Sequence, residues 1–197
     1  AREPSFPPSK LIEARVLLAL SLIDRGEHDE PLAILSEART HFDDFEPGQR
    51  QARWSLMSLV ASALENLGEP LQAEAVARDA LSRDSEVIVK PHAWHAAMLD
   101  TLGRALRDQG RMPEAAAAYA ELLPEAAELY EPDNPTLAGM QITAALVRFE
   151  LGLDEGVEPA LRAAYVALSD RVGASDSRTI SALGQLANVL MAHDRSD

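Results

Sequence analysis

Four glycines set at one interval constrain this chain more than any other feature. Gly26, Gly68, Gly110 and Gly152 stand 42 residues apart, and Asp194 falls at the next multiple. Around Gly110 the stretch LGRALRDQGRMPEAAAAY places Leu102, Gly103, Leu106, Ala115 and Tyr119 at the spacing of two helices joined by a tight turn. The other segments repeat that pattern. A fixed period of this size marks a solenoid, because one helix pair cannot bury its apolar face alone and stacked neighbours supply the core. The chain therefore reads as all-α, an α-solenoid of about four and a half antiparallel helix pairs.

Residues 1–10, AREPSFPPSK, carry three prolines and no helical periodicity. They predict an extended linker with Ser9 capping the next helix. The solenoid is expected over 11–197, in repeats of about 11–48, 49–90, 91–132 and 133–174 and a partial one at 175–197. Predicted helices run over 11–24 and 31–41, 53–67 and 71–82, a third pair opened by Pro91, 136–151 and 155–169, and finally 179–192. FDDFEPGQ (42–49) reads as a loop broken by Pro47 and Gly48, and 84–89 as the following connection. In the fourth pair Phe149 falls one place late, so a local register adjustment is expected there. In the last helix Ile180, Leu183, Leu186 and Leu190 form an apolar stripe that a partner helix would cover, which suggests truncation. The start at Ala1-Arg2 suggests a piece excised from a longer protein.

With 47% hydrophobic residues and 25% charged ones, a chain of 197 residues can bury a core and stay in solution. A net charge of −14 argues against nucleic acid and anionic lipid as partners, since both need clustered Lys and Arg. Without cysteine, thiolate zinc sites and cysteine nucleophiles are excluded. No apolar run approaches the ~20 residues of a membrane span, and no signal peptide is visible, so the expected location is cytoplasmic.

The pattern in Leu102–Tyr119 resembles the tetratricopeptide repeat over residues 11–194. Its period is longer than the ~34 residues of the standard repeat and is similar to the extended kind in kinesin light chains and many bacterial signalling proteins. LYEPDNPTLAGMQITAAL (129–146) and VGASDSRTISALGQLANVL (172–190) resemble that kind's connector and first helix. Where the family usually has a bulky aromatic early in the first helix, this chain has Arg15, Met57, Leu99 and Leu183. The resemblance implies a right-handed solenoid whose concave groove, lined by the first helix of each pair, holds peptides or helices of other proteins.

Groove positions carried over from the family are Val16, Leu20 and Ile23; Ser58, Ser62 and Glu65; Asp100, Arg104 and Arg107; and Gly184, Asn188 and Met191. The carboxylate grip of chaperone-binding members is not implied, because Val16, Leu20, Ser58 and Asp100 stand at its positions. The asparagine ladder of kinesin light chains is mostly missing, with Leu17, Leu59, Thr101 and Gln185 in its places. Arg104 and Arg107, one turn apart, are the candidates for gripping a carboxylate or phosphate, since a guanidinium suits bidentate contact. The alternative is a surface pair between Asp100 and Arg104 at i,i+4. Val16, Leu20 and Ile23 are expected as an exposed apolar contact stripe, with Leu18 and Leu22 as the packing residues. Its first-ranked partner is an upstream segment, ahead of a second copy or a ligand helix.

His92 and His95 at i,i+3 could share a metal with a third ligand from elsewhere. Against that stands a plain helix start with partly exposed histidines and a packed Trp94, and no metal is expected. His28 and His41 are isolated. No phosphate loop, nucleophile elbow or dinucleotide fingerprint occurs, so neither catalysis nor a cofactor is expected. The expected function is a protein-binding scaffold domain, the interaction or regulatory part of a larger signalling protein such as a serine/threonine kinase or transcription regulator. The alternatives are a sensor closing on a small ligand or signalling peptide, and self-association through the terminal helices.

Overall fold

A computed structural model of the chain describes residues 8–84 and 91–193. Asp194, most of the leader and the connection at 85–90 lie outside them. Two compact units divide the chain, 1–88 and 89–197. The first contains α1 (Pro8–Asp24), α2 (Asp29–Thr40), α3 (Arg50–Asn66) and α4 (Pro70–Asp84). The second contains α5 (Ala93–Asp108), α6 (Met112–Leu129), α7 (Pro135–Glu150), α8 (Val157–Val172) and α9 (Ser177–His193). Within each unit successive helices pack as hairpins stacked on their neighbours, with no strand among the described residues. The class is all-α, solenoid.

The 42-residue marker has a single structural cause. At Gly110 the backbone turns left-handed, with φ of 75°. Its N–H donates to the Arg107 carbonyl at 2.8 Å and the Arg111 N–H to the Leu106 carbonyl at 2.9 Å. These two bonds close a helix C-terminus by satisfying carbonyls that the helix leaves open, and a Cβ at the left-handed residue would be strained. Gly26, Gly68 and Gly152 end α1, α3 and α7 with the same pair of bonds.

Three boundaries differ from expectation. α1 begins at Pro8, so Ser9 lies inside the helix and does not cap it; proline is accepted in a first turn because its missing N–H would find no intrahelical partner. Residues 42–49 are two 3-10 turns, Phe42–Asp44 and Pro47–Gln49, with Phe42 and Phe45 buried. The register adjustment expected in the fourth pair is absent, since Val157, Leu161, Ala164 and Leu168 are buried where Ala115, Tyr119, Leu122 and Ala126 are one period earlier, and only the turn is longer. That turn spans 151–156 where the third pair needs only 109–111, and α8 starts at Val157 after a second left-handed glycine, Gly156. The Arg148 guanidinium closes the longer turn by donating to the Glu155 carbonyl at 2.6 Å.

Leu35, Leu56, Met57, Val60 and Leu64 are buried in the first unit and Met98, Leu106, Leu122, Leu161 and Leu168 in the second. Contrary to expectation, Val16 is fully buried, Leu20 and Ile23 are half-buried, and Leu18 is exposed. α1 packs on both α2 and α3, so the arc Ile12, Val16, Ala19 and Leu22 turns inward. Leu11, Leu17 and Leu18 form its exposed apolar surface.

Candidate functional site

Asp100, Arg104 and Arg107 share one face of α5, at i, i+4 and i+7. α6 positions the first of them. Tyr119, itself buried, lies flat against Gly103 and donates its hydroxyl to Asp100 at 3.1 Å. Only glycine leaves room for that ring, since a Cβ at 103 would stand 2.6 Å from Tyr119 Cε2. The Asp100 side chain is 20% exposed, and Arg104, 44% exposed, reaches it with Nε at 3.8 Å. Burial pushes the Asp100 carboxyl above its ordinary range, opposed by Arg104, the Tyr119 hydrogen bond and Arg107. Burial also holds the Tyr119 phenol far above its usual value, with the neighbouring Asp100 charge adding to the shift.

Asp100 and Arg104 edge a recess of about 510 Å³ confined to the second unit. Asp100 and Arg104 line it from α5. From α7 come Pro135, Thr136, Gly139, Met140, Ile142 and Thr143; α8 contributes Leu168, and α9 contributes Ser177, Arg178, Ser181 and Ala182. Its apolar surface is supplied by Met140, Ile142, Leu168 and Ala182, and its polar groups are hydroxyls, one carboxylate and two guanidinium groups. Two helix starts are fixed beside it. Asn134 accepts from the Thr136 N–H at 2.8 Å, and Asp176 accepts from the Arg178 N–H at 2.9 Å. The Arg178 side chain returns to Asp176 through two bonds of 2.9 and 3.0 Å, and that hydrogen bonding holds the Asp176 carboxyl below its ordinary range. The recess can therefore seat an apolar side chain and hydrogen-bond a polar one.

The remaining expected site residues are placed as follows. Arg107 is half-buried and donates twice to Asp108, at 3.2 and 2.9 Å, and does not line the recess. Gly184 and Asn188 are exposed and continue the face of Ser177 and Ser181 along α9, but beyond the recess. Ser58, Ser62 and Glu65 share one face of α3 in the other unit, Ser58 donating to the Trp54 carbonyl at 2.9 Å. Val16, the α1 equivalent of Ser58 and Asp100, is buried and offers no contact surface.

His95 is buried, not partly exposed as expected. Its Nδ1 lies 2.8 Å from Glu125 Oε2 on α6, while Glu125 Oε1 accepts the His92 N–H at 2.8 Å. The His92 ring in turn accepts the Trp94 N–H at 3.2 Å. The cluster fixes the start of α5. Among the described residues no group of three or more His, Cys, Asp or Glu could hold a metal, and no helix is long and apolar enough to cross a membrane.

No protein-family model matches the sequence, and no curated protein does. Among solved structures the chain is similar to kinesin light chain nearly identical TPR-like repeats from Podosopora anserina, at a TM-score of 0.77 and 16% identity, covering 96% of this chain and 89% of that one. It is also similar to BtubC (BKLC) from P. vanneervenii, at 0.62 and 20%, covering 92% and 66%. A tetratricopeptide repeat protein from Parabacteroides merdae matches at 0.55 and 16%, covering 94% and 62%.

Proposed function

Because the chain is a solenoid of tetratricopeptide-like repeats, we propose that it is a protein-binding domain that seats a peptide or helix of a partner against the groove faces of α5, α7 and α9. The observation that supports this reading is the recess of about 510 Å³, with Arg104 at its edge and Met140, Ile142, Leu168 and Ala182 as its apolar surface. An apolar anchor in such a pocket with a few placed polar groups around it is the usual way a short segment is held. Arg104, beside Asp100 at the edge of the recess, supplies a guanidinium for a carboxylate or carbonyl, whereas Arg107, bonded to Asp108, lies outside it. In this reading the domain is the interaction or regulatory part of a larger signalling protein.

A peptide selected from a random library on the immobilised chain tests it by fluorescence polarisation. Arg104→Glu places a second carboxylate beside Asp100 and is expected to weaken binding at least tenfold, while Arg107→Glu leaves it within about twofold, given how little exposed pairs contribute. Binders indifferent to Arg104→Glu would remove the recess as the site. A second reading, a sensor for a small ligand, is favoured by the volume alone, which falls within the roughly 300–1,000 Å³ of small-molecule sites. Calorimetry with small dicarboxylates distinguishes it, since the first reading expects no heat beyond dilution.

A further inference from the structure

The fold itself does not call for glycine at position 139, where α7 lines the recess. The residue is exposed and its backbone is helical, so it does not need the left-handed freedom that Gly110 uses. A Cβ there would meet nothing within 4 Å, so no neighbour excludes a side chain as Tyr119 does at Gly103. The repeat does not demand it either. At the same place in the 42-residue period stand Glu13, Ser55, Ala97 and Ser181. Glycine inside a helix weakens it relative to alanine, and here no turn, packing or register offsets that loss. What the bare backbone does provide is room in the recess wall for a group that enters from outside.

The chain shows what fits such a place. At Gly103 the occupant is the Tyr119 ring, whose hydroxyl bonds to Asp100 three residues earlier on the same helix. Around Gly139 the recess offers the same two components. Met140, Ile142, Leu168 and Ala182 supply apolar surface, and Thr136, three residues before Gly139, supplies a hydroxyl together with Ser177 and Ser181. An aliphatic side chain would use only the first of these, whereas a ring with a polar end uses both. Arg104 and Arg178 line the same recess, and Asp176 holds the Arg178 guanidinium in place through two bonds. Guanidinium planes stack on aromatic faces, which favours a ring further.

We infer that Gly139 is the specificity-determining position of the recess and admits a tyrosine or tryptophan side chain of the partner, laid across the α7 backbone with its hydroxyl or indole N–H toward the hydroxyls of Thr136, Ser177 and Ser181. The inference rests on the peptide-binding reading above and adds the anchor residue that the partner must carry.

Peptide libraries with one central position fixed as Tyr, Trp, Leu or Ala and random flanks, captured on the immobilised chain and measured by fluorescence polarisation, test it. The Tyr and Trp libraries should yield binders at least tenfold tighter than the Leu and Ala libraries, the difference a buried aromatic anchor makes. Gly139→Leu fills the space and should weaken those binders at least tenfold. Gly139→Ala should weaken them severalfold while raising the thermal midpoint by about 2–4 °C, as replacing an unpacked helix glycine does. Weaker binding by a more stable chain excludes a damaged fold as the cause. Ser55→Leu, at the same register position on α3, should leave binding unchanged. Binders lost with Arg104→Glu that tolerate Gly139→Leu, or that show no preference for Tyr and Trp, overturn this inference and leave the recess as the peptide site. Binders indifferent to both Arg104→Glu and Gly139→Leu, or no binder from any library, overturn the inference and the recess as a peptide site together.

Discussion

At Gly103 of α5 the Tyr119 ring of α6 fills the space that a side chain would take, and from there its hydroxyl reaches Asp100. A methyl group there would overlap the Tyr119 ring, so Gly103→Ala has to displace the ring or separate the helices. The expected cost is about 1–3 kcal/mol, the range for overpacking a filled interior, despite alanine's better helix propensity. Urea unfolding measures it; a variant as stable as the parent would mean that the ring moves freely. Asp100 gives a pH signature. Its carboxyl is pushed up in the folded chain, mainly by burial, so the folded state takes up the proton more readily than the unfolded one. The stability this group contributes is fully present below the ordinary carboxyl value of about 3.9 and is lost as pH rises through the raised folded value. Asp100→Asn removes that dependence while keeping an acceptor for Tyr119. Thermal midpoints taken from about pH 4 to about pH 7 should therefore shift in the variant's favour as pH rises. A difference that stays flat would mean that Asp100 titrates as a solvated group.

At the level of the helix the local signals are clear and the long-range ones are silent. The C-terminal turns were legible because only glycine takes the left-handed residue without strain. How far along α7 and α9 the recess lies was not, since stacking against α5 sets that stagger. Ser177 and Ser181 of α9 line the recess, whereas the expected Gly184 and Asn188 lie beyond it. Val16 was misplaced because an apolar residue between two neighbouring helices has the same local sequence pattern as one facing solvent. The His95–Glu125 pair left no mark at all, as its members sit 30 residues apart on different helices. That pair carries a prediction for the start of α5. Glu125→Gln exchanges a carboxylate accepting from both the His92 N–H and the His95 ring for a group with one weaker acceptor. It should cost about 1–3 kcal/mol, as for an impaired buried acceptor. Amide exchange at residues 92–95 should accelerate ahead of that in α7, and uniform acceleration across the unit would show that Glu125 contributes only to global stability.

For the molecule as a whole, net charge sets the response to salt. The chain carries −14, so folding gathers like charges that the unfolded chain holds further apart, and their repulsion opposes the compact state. That repulsion reaches about 30 Å at 0.01 M salt but only about 10 Å at 0.1 M. Ion pairs between residues distant in sequence, Arg15 with Glu37 and Arg171 with Asp133, are exposed and contribute little against it. Raising sodium chloride from about 0.01 M to about 0.3 M should therefore raise the thermal midpoint, because screening removes more repulsion than attraction. Thermal unfolding followed by circular dichroism across that salt series reads the sign directly. A midpoint that falls with salt would show that the exposed ion pairs outweigh the repulsion between like charges.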